Sequence, residues 1–423
     1  MQRREFLQGS AIASLMGAMP LSAIAGSAKG KVVIVGGGYG GATAAKYIRL
    51  LSKGRVEVTL VEPNASFISC PMSNLVVGGV RKIEEITTPY TGLAKNHGVK
   101  VVKDYVESID VAKRTVKLKS GKSLPYDKLV LSPGIDLMHD KIEGLAAANA
   151  SQATVQAWKA GPETLLLRKQ LEAIQDGGTY VLSIPLAPYR CPPGPYERAS
   201  LVANYFKQHK PKSKVLVLDA NADVISKGKL FKGVWESQYK GILEYRPNQK
   251  VVAVDGATKT VKFEFDEPVK GDVLNILPDM RAGKLAVDSG IANLNGRWAD
   301  INYQTFESKV APNVFVIGDS IQVAPLMPKS GHMANNHGKV AAAAIVSQLS
   351  GWEPNPQPLL NNTCYSYINS TEVIHVASVH LYNDEKKTYL TVEGSGGVST
   401  GPTELEGHYA WSWAQNIWAD SLV

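Results

Sequence analysis

A glycine cluster that directly follows a short apolar strand constrains the fold of this chain more than any other feature. Residues 31–35 (KVVIV) read as a parallel strand buried on both faces. They lead into Gly36, Gly38 and Gly41, spaced as G-x-G-x-x-G, and then into a helical stretch. In this context the three glycines permit a tight turn, close approach of a pyrophosphate and close packing of helix on sheet, respectively. The sequence therefore predicts a dinucleotide-binding unit here.

The next strand strengthens this prediction. Residues 56–61 (VEVTLV) end at Glu62, an acid placed to hydrogen-bond a ribose hydroxyl. The helix between the two strands would direct its N-terminus at the phosphates. Because strand, turn, helix, second strand and acid follow in order, we favour a nucleotide site over a glycine-rich structural turn.

Composition narrows the class of protein. The chain has 423 residues, of which 44% are hydrophobic and 20% charged, as expected for a globular protein with more than one domain. After the first thirty residues no apolar run is long enough to cross a bilayer, so we predict no integral membrane segment. The lysines and arginines behind the net charge of +8 are spread through the chain, which argues against a nucleic-acid partner.

The first residues predict export. Arg3 and Arg4 precede a mildly apolar stretch and a run of small residues, the pattern of a twin-arginine signal peptide over residues 1–28. This route carries folded proteins, often with a cofactor in place. We therefore expect a periplasmic protein.

Three cysteines follow the predicted signal: Cys70, Cys191 and Cys364. In an oxidising compartment an odd number implies one disulfide and one thiol that is free, reactive or otherwise occupied. The chain contains no Cys-x-x-Cys pair and no Cys-x-x-Cys-His, so we predict neither a metal site nor a haem attached to this chain.

Two later segments distinguish FAD from NAD. Residues 126–134 (YDKLVLSPG) and 313–319 (NVFVIGD) both read as strands that end in turns. They resemble further signatures of the FAD-binding pyridine nucleotide-disulfide oxidoreductase superfamily, which has a glutathione-reductase-like fold. By this resemblance Asp319, after Gly318, hydrogen-bonds the ribityl chain of FAD, and the backbone near Val106 meets the adenine.

The middle of the chain lacks the expected second glycine motif. The strand at residues 179–184 ends in the proline-rich segment 185–197 (PLAPYRCPPGPYE). Prolines offer no N–H groups to a phosphate and obstruct its approach. The next strand, 214–218, and Asp219 retain the Rossmann pattern. We therefore predict a degenerate nucleotide-binding domain without a nicotinamide cofactor.

Taken together, the signal, the FAD motifs, Cys70 in FISCP, the 191–197 loop and Cys364 resemble the flavoprotein subunits of flavocytochrome c sulfide dehydrogenases. The resemblance implies that Cys70 carries FAD through an 8α-S-cysteinyl bond. It implies that Cys191 and Cys364 form a redox-active disulfide beside the flavin. It also implies sulfide as substrate, elemental sulfur or polysulfide as product, and a c-type cytochrome subunit as partner in a heterodimer.

The residues are suited to that chemistry. A disulfide is an electrophile that HS⁻ can attack. Glu197 lies in an apolar, proline-rich loop, where a raised pKa would suit a proton shuttle. The alternatives are a purely structural disulfide, a surface or salt-bridged acid at Glu197 and a buried free thiol at Cys70.

The predicted architecture is α/β, with two Rossmann-like domains and a C-terminal α+β interface domain. We assign FAD binding to residues 30–150 and 290–355, the degenerate nucleotide domain to 151–289 and the interface domain to 356–423. The interface domain holds three tryptophans close together, which suit a core or a partner interface.

Two other functions stay open at this point. One is a sulfide:quinone oxidoreductase, which the signal peptide and the lack of a clear amphipathic C-terminal helix pair disfavour. The other is a flavin-bearing electron carrier or assembly subunit without its own sulfide chemistry.

Overall fold

The computed structural model describes residues 29–423, so the predicted signal peptide at 1–28 lies outside the described residues. The strands are β1 Gly30–Val35, β2 Val56–Val61, β3 Ser66–Ile68, β4 Thr87–Pro89, β5 Lys100–Val102, β6 Val106–Asp110, β7 Thr115–Leu118, β8 Ser123–Pro125, β9 Lys128–Leu131, β10 Ile135–Leu137, β11 Thr154–Val155, β12 Thr179–Ile184, β13 Lys214–Asp219, β14 Leu243–Arg246, β15 Val251–Asp255, β16 Thr260–Phe263, β17 Val269–Lys270, β18 Val273–Ile276, β19 Met280–Ala282, β20 Val314–Val316, β21 Leu359–Tyr367, β22 Val373–Asn383, β23 Thr388–Thr391 and β24 Gly397–Val398. The α-helices are α1 Tyr39–Leu51, α2 Ser73–Val77, α3 Thr91–His97, α4 Leu145–Ala150, α5 Pro162–Ala173, α6 Gly194–His209, α7 Gly228–Gln238, α8 Lys284–Asp288, α9 Gly331–Leu349 and α10 Glu404–Leu422.

The first sheet is parallel and has the strand order β20-β9-β1-β2-β5. Residues 32–35 of β1 are buried, as the unbroken apolar run predicts for a strand covered on both faces. Helices α1 and α9 pack closely together, since a Cβ at Gly338 would lie 2.6 Å from the carbonyl oxygen of Gly40. Both begin at the carboxyl edge of this sheet.

The second sheet is also parallel, in the order β11-β18-β12-β13-β14, and confirms the Rossmann-like framework in the middle of the chain. At the end of β13 the carboxylate of Asp219 accepts hydrogen bonds from the hydroxyls of Tyr196 (2.8 Å) and Tyr245 (2.9 Å). Tyr196 is fully buried and packs on Phe231 and Trp235. The carboxylate of Asp219, at the end of this strand, is therefore hydrogen-bonded by side chains of the protein itself.

The C-terminal region combines an antiparallel sheet, β21-β22-β23 with β24 on β22, and helix α10. The predicted α/β class with a C-terminal α+β part is thus confirmed. The three tryptophans all pack against the chain itself: Trp418 donates to the hydroxyl of Tyr39 (3.1 Å), Trp411 stacks edge-to-face on Trp418, and Trp413 lies 5.6 Å from the ring of His332. Part of this tryptophan cluster therefore reaches the first Rossmann unit.

Two features are absent from the described part of the chain. No helix within residues 29–423 is long and apolar enough to span a bilayer. In the same part of the chain no three His, Cys, Asp or Glu side chains are grouped so that they could hold a metal ion.

Candidate active site

A cavity of about 840 Å³ opens at the carboxyl ends of β1, β2, β9 and β20, the edge where open parallel sheets bind ligands. Its wall contains most of the residues predicted to bind the cofactor: Gly36, Gly38, Glu62, Cys70, Val106, Gly318 and Asp319. Cys191 also lies in the wall. Gly41, Glu197 and Cys364 do not line the cavity.

The three glycines of the first turn have distinct surroundings. Gly36 has φ +95° and faces the carbonyl of Ser132, so a side chain there would be strained and would clash. A Cβ at Gly41 would lie 1.9 Å from the carbonyl oxygen of Gly36, whereas one at Gly38 would meet open space. Gly41 therefore lets α1 pack against the turn, and Gly38 leaves room for a ligand at the helix N-terminus.

Glu62 is buried at the end of β2. One carboxylate oxygen accepts from the backbone N–H of Gly37 (2.7 Å), and the other accepts from the backbone and side chain of Asn64. These bonds fix the carboxylate in the cavity wall. It is oriented to accept further hydrogen bonds there.

The end of β20 offers a direct test for FAD. Gly318 adopts φ +71° and is followed by Asp319, whose Oδ1 atom is buried without any hydrogen-bond partner. Burial raises the pKa of Asp319, opposed by the charges of Arg190 and Lys329. A buried carboxylate oxygen without a donor fits a ligand that brings hydroxyl groups, as the ribityl chain of FAD does.

Positive groups surround the same cavity. The side chains of Lys159, Arg190 and Arg198 lie in its wall, and Gly331 and Ala334 bring the N-terminus of α9 to it. Ser330 caps that helix by accepting from the backbone N–H of Met333. Cationic groups and a helix N-terminus stabilise negative charge, such as that on a reduced flavin ring.

Cys70 lies between β3 and α2 in the cavity wall. The backbone N–H of Ala160 points at its sulfur, at 3.4 Å. The Cys70 thiol is thus placed beside the volume in which FAD would lie. Its covalent bond to the flavin stays a prediction.

Among residues 29–423 the structure contains no disulfide, and all three cysteines are thiols. Cys191 has φ +58° and donates its backbone N–H to the carbonyl of Lys329 (2.8 Å). Burial raises the pKa of Cys191, and the charge of Cys364 raises it further. The two sulfurs therefore lie in one electrostatic environment, and their pairing stays a prediction.

Glu197 is located in the first turn of α6 and only 5% of its surface is exposed. Asn74 donates to one carboxylate oxygen (2.7 Å) and the backbone N–H of Tyr367 to the other (2.8 Å). Burial raises the pKa of Glu197 despite these bonds and the charges of Lys227 and Arg198. The alternative of an exposed acid is wrong, because α6 is covered by β21 and α2 at this point.

Sequence reasoning missed three buried cations near the cysteines: Lys227, Arg198 and Lys329. Lys329 donates to the carbonyls of Asp319 and Ile321, and burial lowers its pKa to about 7. Charged residues are mostly exposed, so a lone lysine or arginine in a sequence gives no sign of burial. The proline-rich turn close before Arg198 was the one available signal.

This cavity, with its Rossmann turn and its orphaned acid, defines an FAD-binding flavoprotein of the pyridine nucleotide-disulfide oxidoreductase type. The family model of that name, Pyridine nucleotide-disulphide oxidoreductase, matches residues 30–165. Two further models match later parts of the chain: the central part of the sulfide dehydrogenase [flavocytochrome c] flavoprotein chain at residues 164–278, and the flavin-binding part of flavocytochrome c sulphide dehydrogenase at 356–422. The chain belongs to the family of flavocytochrome c sulfide dehydrogenase flavoproteins.

Individual relatives agree with this assignment. A stretch of 46 residues is 56% identical to the sulfide dehydrogenase [flavocytochrome c] flavoprotein chain of Chlorobaculum thiosulfatiphilum, covering 11% of this chain and 94% of that sequence. The mitochondrial sulfide:quinone oxidoreductase of Mus musculus is 26% identical over 314 residues, which span 68% of this chain and 65% of the mouse protein. The chain thus covers slightly less than two thirds of that relative.

A solved structure shows the same fold. The sulfide:quinone oxidoreductase from the hyperthermophilic bacterium Aquifex aeolicus superposes with a TM-score of 0.75 at 19% identity, over 93% of this chain and 92% of that one. The overall arrangement of the sheets is therefore shared across nearly the whole length of both chains.

Proposed function

We propose that this chain oxidises sulfide, with FAD in the cavity and Cys191 and Cys364 as a redox-active pair, and passes the electrons to a c-type cytochrome subunit. The observation that carries the proposal is the position of the two cysteines. Cys191 lies in the cavity wall and donates its backbone N–H to the carbonyl of Lys329. The next residue, Ser330, bonds to Asn362, which in turn donates to the sulfur of Cys364 (3.3 Å). The sulfide-oxidising names of the relatives support the same reaction.

The two cysteines take different parts in this reaction. Cys191 lines the cavity and Cys364 does not, so HS⁻ attacks Cys364 in the disulfide state and expels Cys191 as a thiolate facing the cavity. The Cys364–Cys191 bond breaks and a persulfide forms on Cys364. A second HS⁻ takes the outer sulfur away as HSS⁻ and leaves two reduced cysteines.

The balance is two HS⁻ converted to HSS⁻, one proton and two electrons. FAD, when bound, supplies the two-electron acceptor that returns the cysteine pair to the disulfide. Glu197 receives the proton. Its raised pKa suits that task near neutral pH, because a carboxylate with an ordinary pKa would be too weak a base.

The choice of a cytochrome as acceptor has its own support. The two family models that cover residues 164–278 and 356–422 both describe flavocytochrome c proteins. The predicted twin-arginine signal supports a periplasmic location, where such a cytochrome would be present. A quinone is the second candidate, since the mouse relative and the solved Aquifex structure are named as sulfide:quinone oxidoreductases.

The test is an anaerobic titration of the purified chain with sulfide, followed by the flavin spectrum. We expect bleaching, and reoxidation on adding oxidised cytochrome c but not on adding a soluble quinone. Reoxidation by the quinone alone would favour the second candidate. Absence of bleaching would refute the mechanism and support a carrier without sulfide chemistry. Unaltered bleaching in Cys191→Ser would refute the role of the cysteine pair.

A further inference from the structure

Lys227 is a buried lysine next to the cysteine pair. It precedes α7 with φ +56°, and 8% of its surface is exposed. Its ammonium group donates to the carbonyl oxygen of Cys364 (3.0 Å), to the hydroxyl of Ser366 (2.7 Å) and to the carbonyl oxygen of Ile374 (3.3 Å). Three bonds to β21 and β22 hold the ammonium group in one place.

The charge of this ammonium has no ion-pair partner among the described residues, since its bonds all go to neutral oxygens. Burial lowers the pKa of Lys227, and the strongest opposing influence is the negative charge that Cys364 can carry. Glu197 of α6, Cys191 before α6 and Glu406 of α10 act in the same direction.

The effect is mutual. Burial raises the pKa of Cys364, and Lys227 is the largest influence that opposes the rise, ahead of hydrogen bonds from Asn362 and Ser330. A buried cation without a counterion is costly, and the cost falls when an anion forms beside it. Lys227 bonds to the carbonyl oxygen of Cys364, and the sulfur of that same residue is a group that can become the anion.

We propose that Lys227 is a positioning residue that holds the sulfur of Cys364 in its anionic form, as the thiolate and as the persulfide. This assignment rests on the proposed function. In the sulfide reaction the positive charge also favours entry of HS⁻ toward Cys364, because the ammonium attracts that anion. Lys227 would then stabilise negative charge on the sulfur of Cys364, while the N-terminus of α9 stabilises negative charge in the cavity.

A merely structural role would be to tie α7 to the hairpin of β21 and β22. Three variants separate the two roles. Lys227→Met removes the charge and the donors, Lys227→Gln keeps donors without charge, and Lys227→Arg keeps the charge. Lys232→Met is the matched control, because Lys232 lies on α7 and forms an exposed ion pair with Asp223.

The first measurement does not involve sulfide. The holoprotein is reduced anaerobically with dithiothreitol and exposed to iodoacetamide over a range of pH, and alkylation of the Cys364 peptide is quantified by mass spectrometry. An opposite charge nearby lowers a pKa by about 1 to 3 units. We expect the midpoint of Cys364 alkylation to rise by about one unit or more in Lys227→Met and Lys227→Gln.

Lys227→Arg and Lys232→Met should leave that midpoint unchanged. Equal midpoints in Lys227→Gln and the unmodified chain would overturn the proposal, as would an equal rise in Lys227→Arg. The Gln variant decides the matter if Lys227→Met does not fold.

The second measurement is the rate of flavin bleaching by sulfide. We expect a fall of about tenfold in Lys227→Gln, since one pKa unit corresponds to a factor of ten. If the alkylation midpoint shifts as expected but the unmodified chain is not bleached by sulfide, the proposed function fails and the role of Lys227 at Cys364 stands. If bleaching is normal and the midpoint does not shift, the proposal for Lys227 fails alone.

Discussion

Replacing Arg198 by methionine should destabilise this chain strongly. Arg198 is 1% exposed and is located on α6, where its guanidinium stacks on Trp158 with 4.8 Å to the ring centroid. It donates to four oxygens, which belong to Asn74, Gln156, Ala157 and Asn275. These contacts join the first Rossmann unit to the second.

The cost follows from which acceptors lose their donor. The oxygens of Gln156 and Asn275 keep other donors, whereas those of Asn74 and Ala157 lose the one donor that the described residues give them. Each buried acceptor left unpaired costs about 1 to 3 kcal/mol. We expect Arg198→Met to lower the free energy of unfolding by about 2 to 6 kcal/mol, the cost of leaving these two acceptors unpaired.

Urea denaturation of the holoprotein, followed by circular dichroism, measures this loss. Arg246→Met is the matched control, because Arg246 forms an exposed ion pair with Glu244 and such pairs contribute about 1 kcal/mol or less. A loss in Arg198→Met of less than about 1 kcal/mol, or one equal to the control, would show that the network is not what stabilises this junction.

Three more predictions use other groups. Cys70→Ser should give a chain whose flavin is released by acid; release from the unmodified chain as well would contradict a thioether. In the unmodified chain the bleaching rate, corrected for the HS⁻ concentration, should fall at low pH, because protonation of Glu197 near its raised pKa removes the base. The rate in Glu197→Gln should lack this pH dependence. An unchanged pH profile in Glu197→Gln would exclude Glu197 as the proton acceptor. Burial lowers the pKa of His337 to about 3, so His337 stays neutral in the folded chain. As the pH falls below the ordinary pKa of histidine, the unfolded chain therefore binds a proton at His337 before the folded chain does. Stability should fall through that window by up to about 1.4 kcal/mol per pH unit, and His337→Gln should reduce this slope in urea titrations between pH 4 and 6; identical slopes would mean that His337 is not held neutral.

The part of the site that sequence could predict is local in the chain. Gly37 and Glu62 hydrogen-bond across 25 positions, within one strand-helix-strand unit whose geometry is fixed by its own residues. The motif therefore predicted both the fold of that unit and the cavity edge on which its residues lie.

The remaining part depends on distant contacts. Lys227 is 137 positions from Cys364, and Glu197 is 170 positions from the backbone N–H of Tyr367. No periodicity or spacing encodes such contacts, because they are decided by how β21 packs on α6 and on the residue that precedes α7. The sequence could indicate that Glu197 belongs to an apolar loop but could not supply its neighbours.

Lys329 couples the loop that contains Asp319 to the loop that contains Cys191. The ammonium of Lys329 donates to the carbonyl of Asp319 (2.9 Å). The backbone carbonyl of Lys329 accepts from the backbone N–H of Cys191 (2.8 Å). A thermal displacement of either loop is therefore transmitted to the other through a single side chain and its own backbone. The gap between Asp319 and the backbone of Cys191 should consequently fluctuate less than either loop does. Under the proposed function, this would keep the distance between the cysteine pair and the flavin constant.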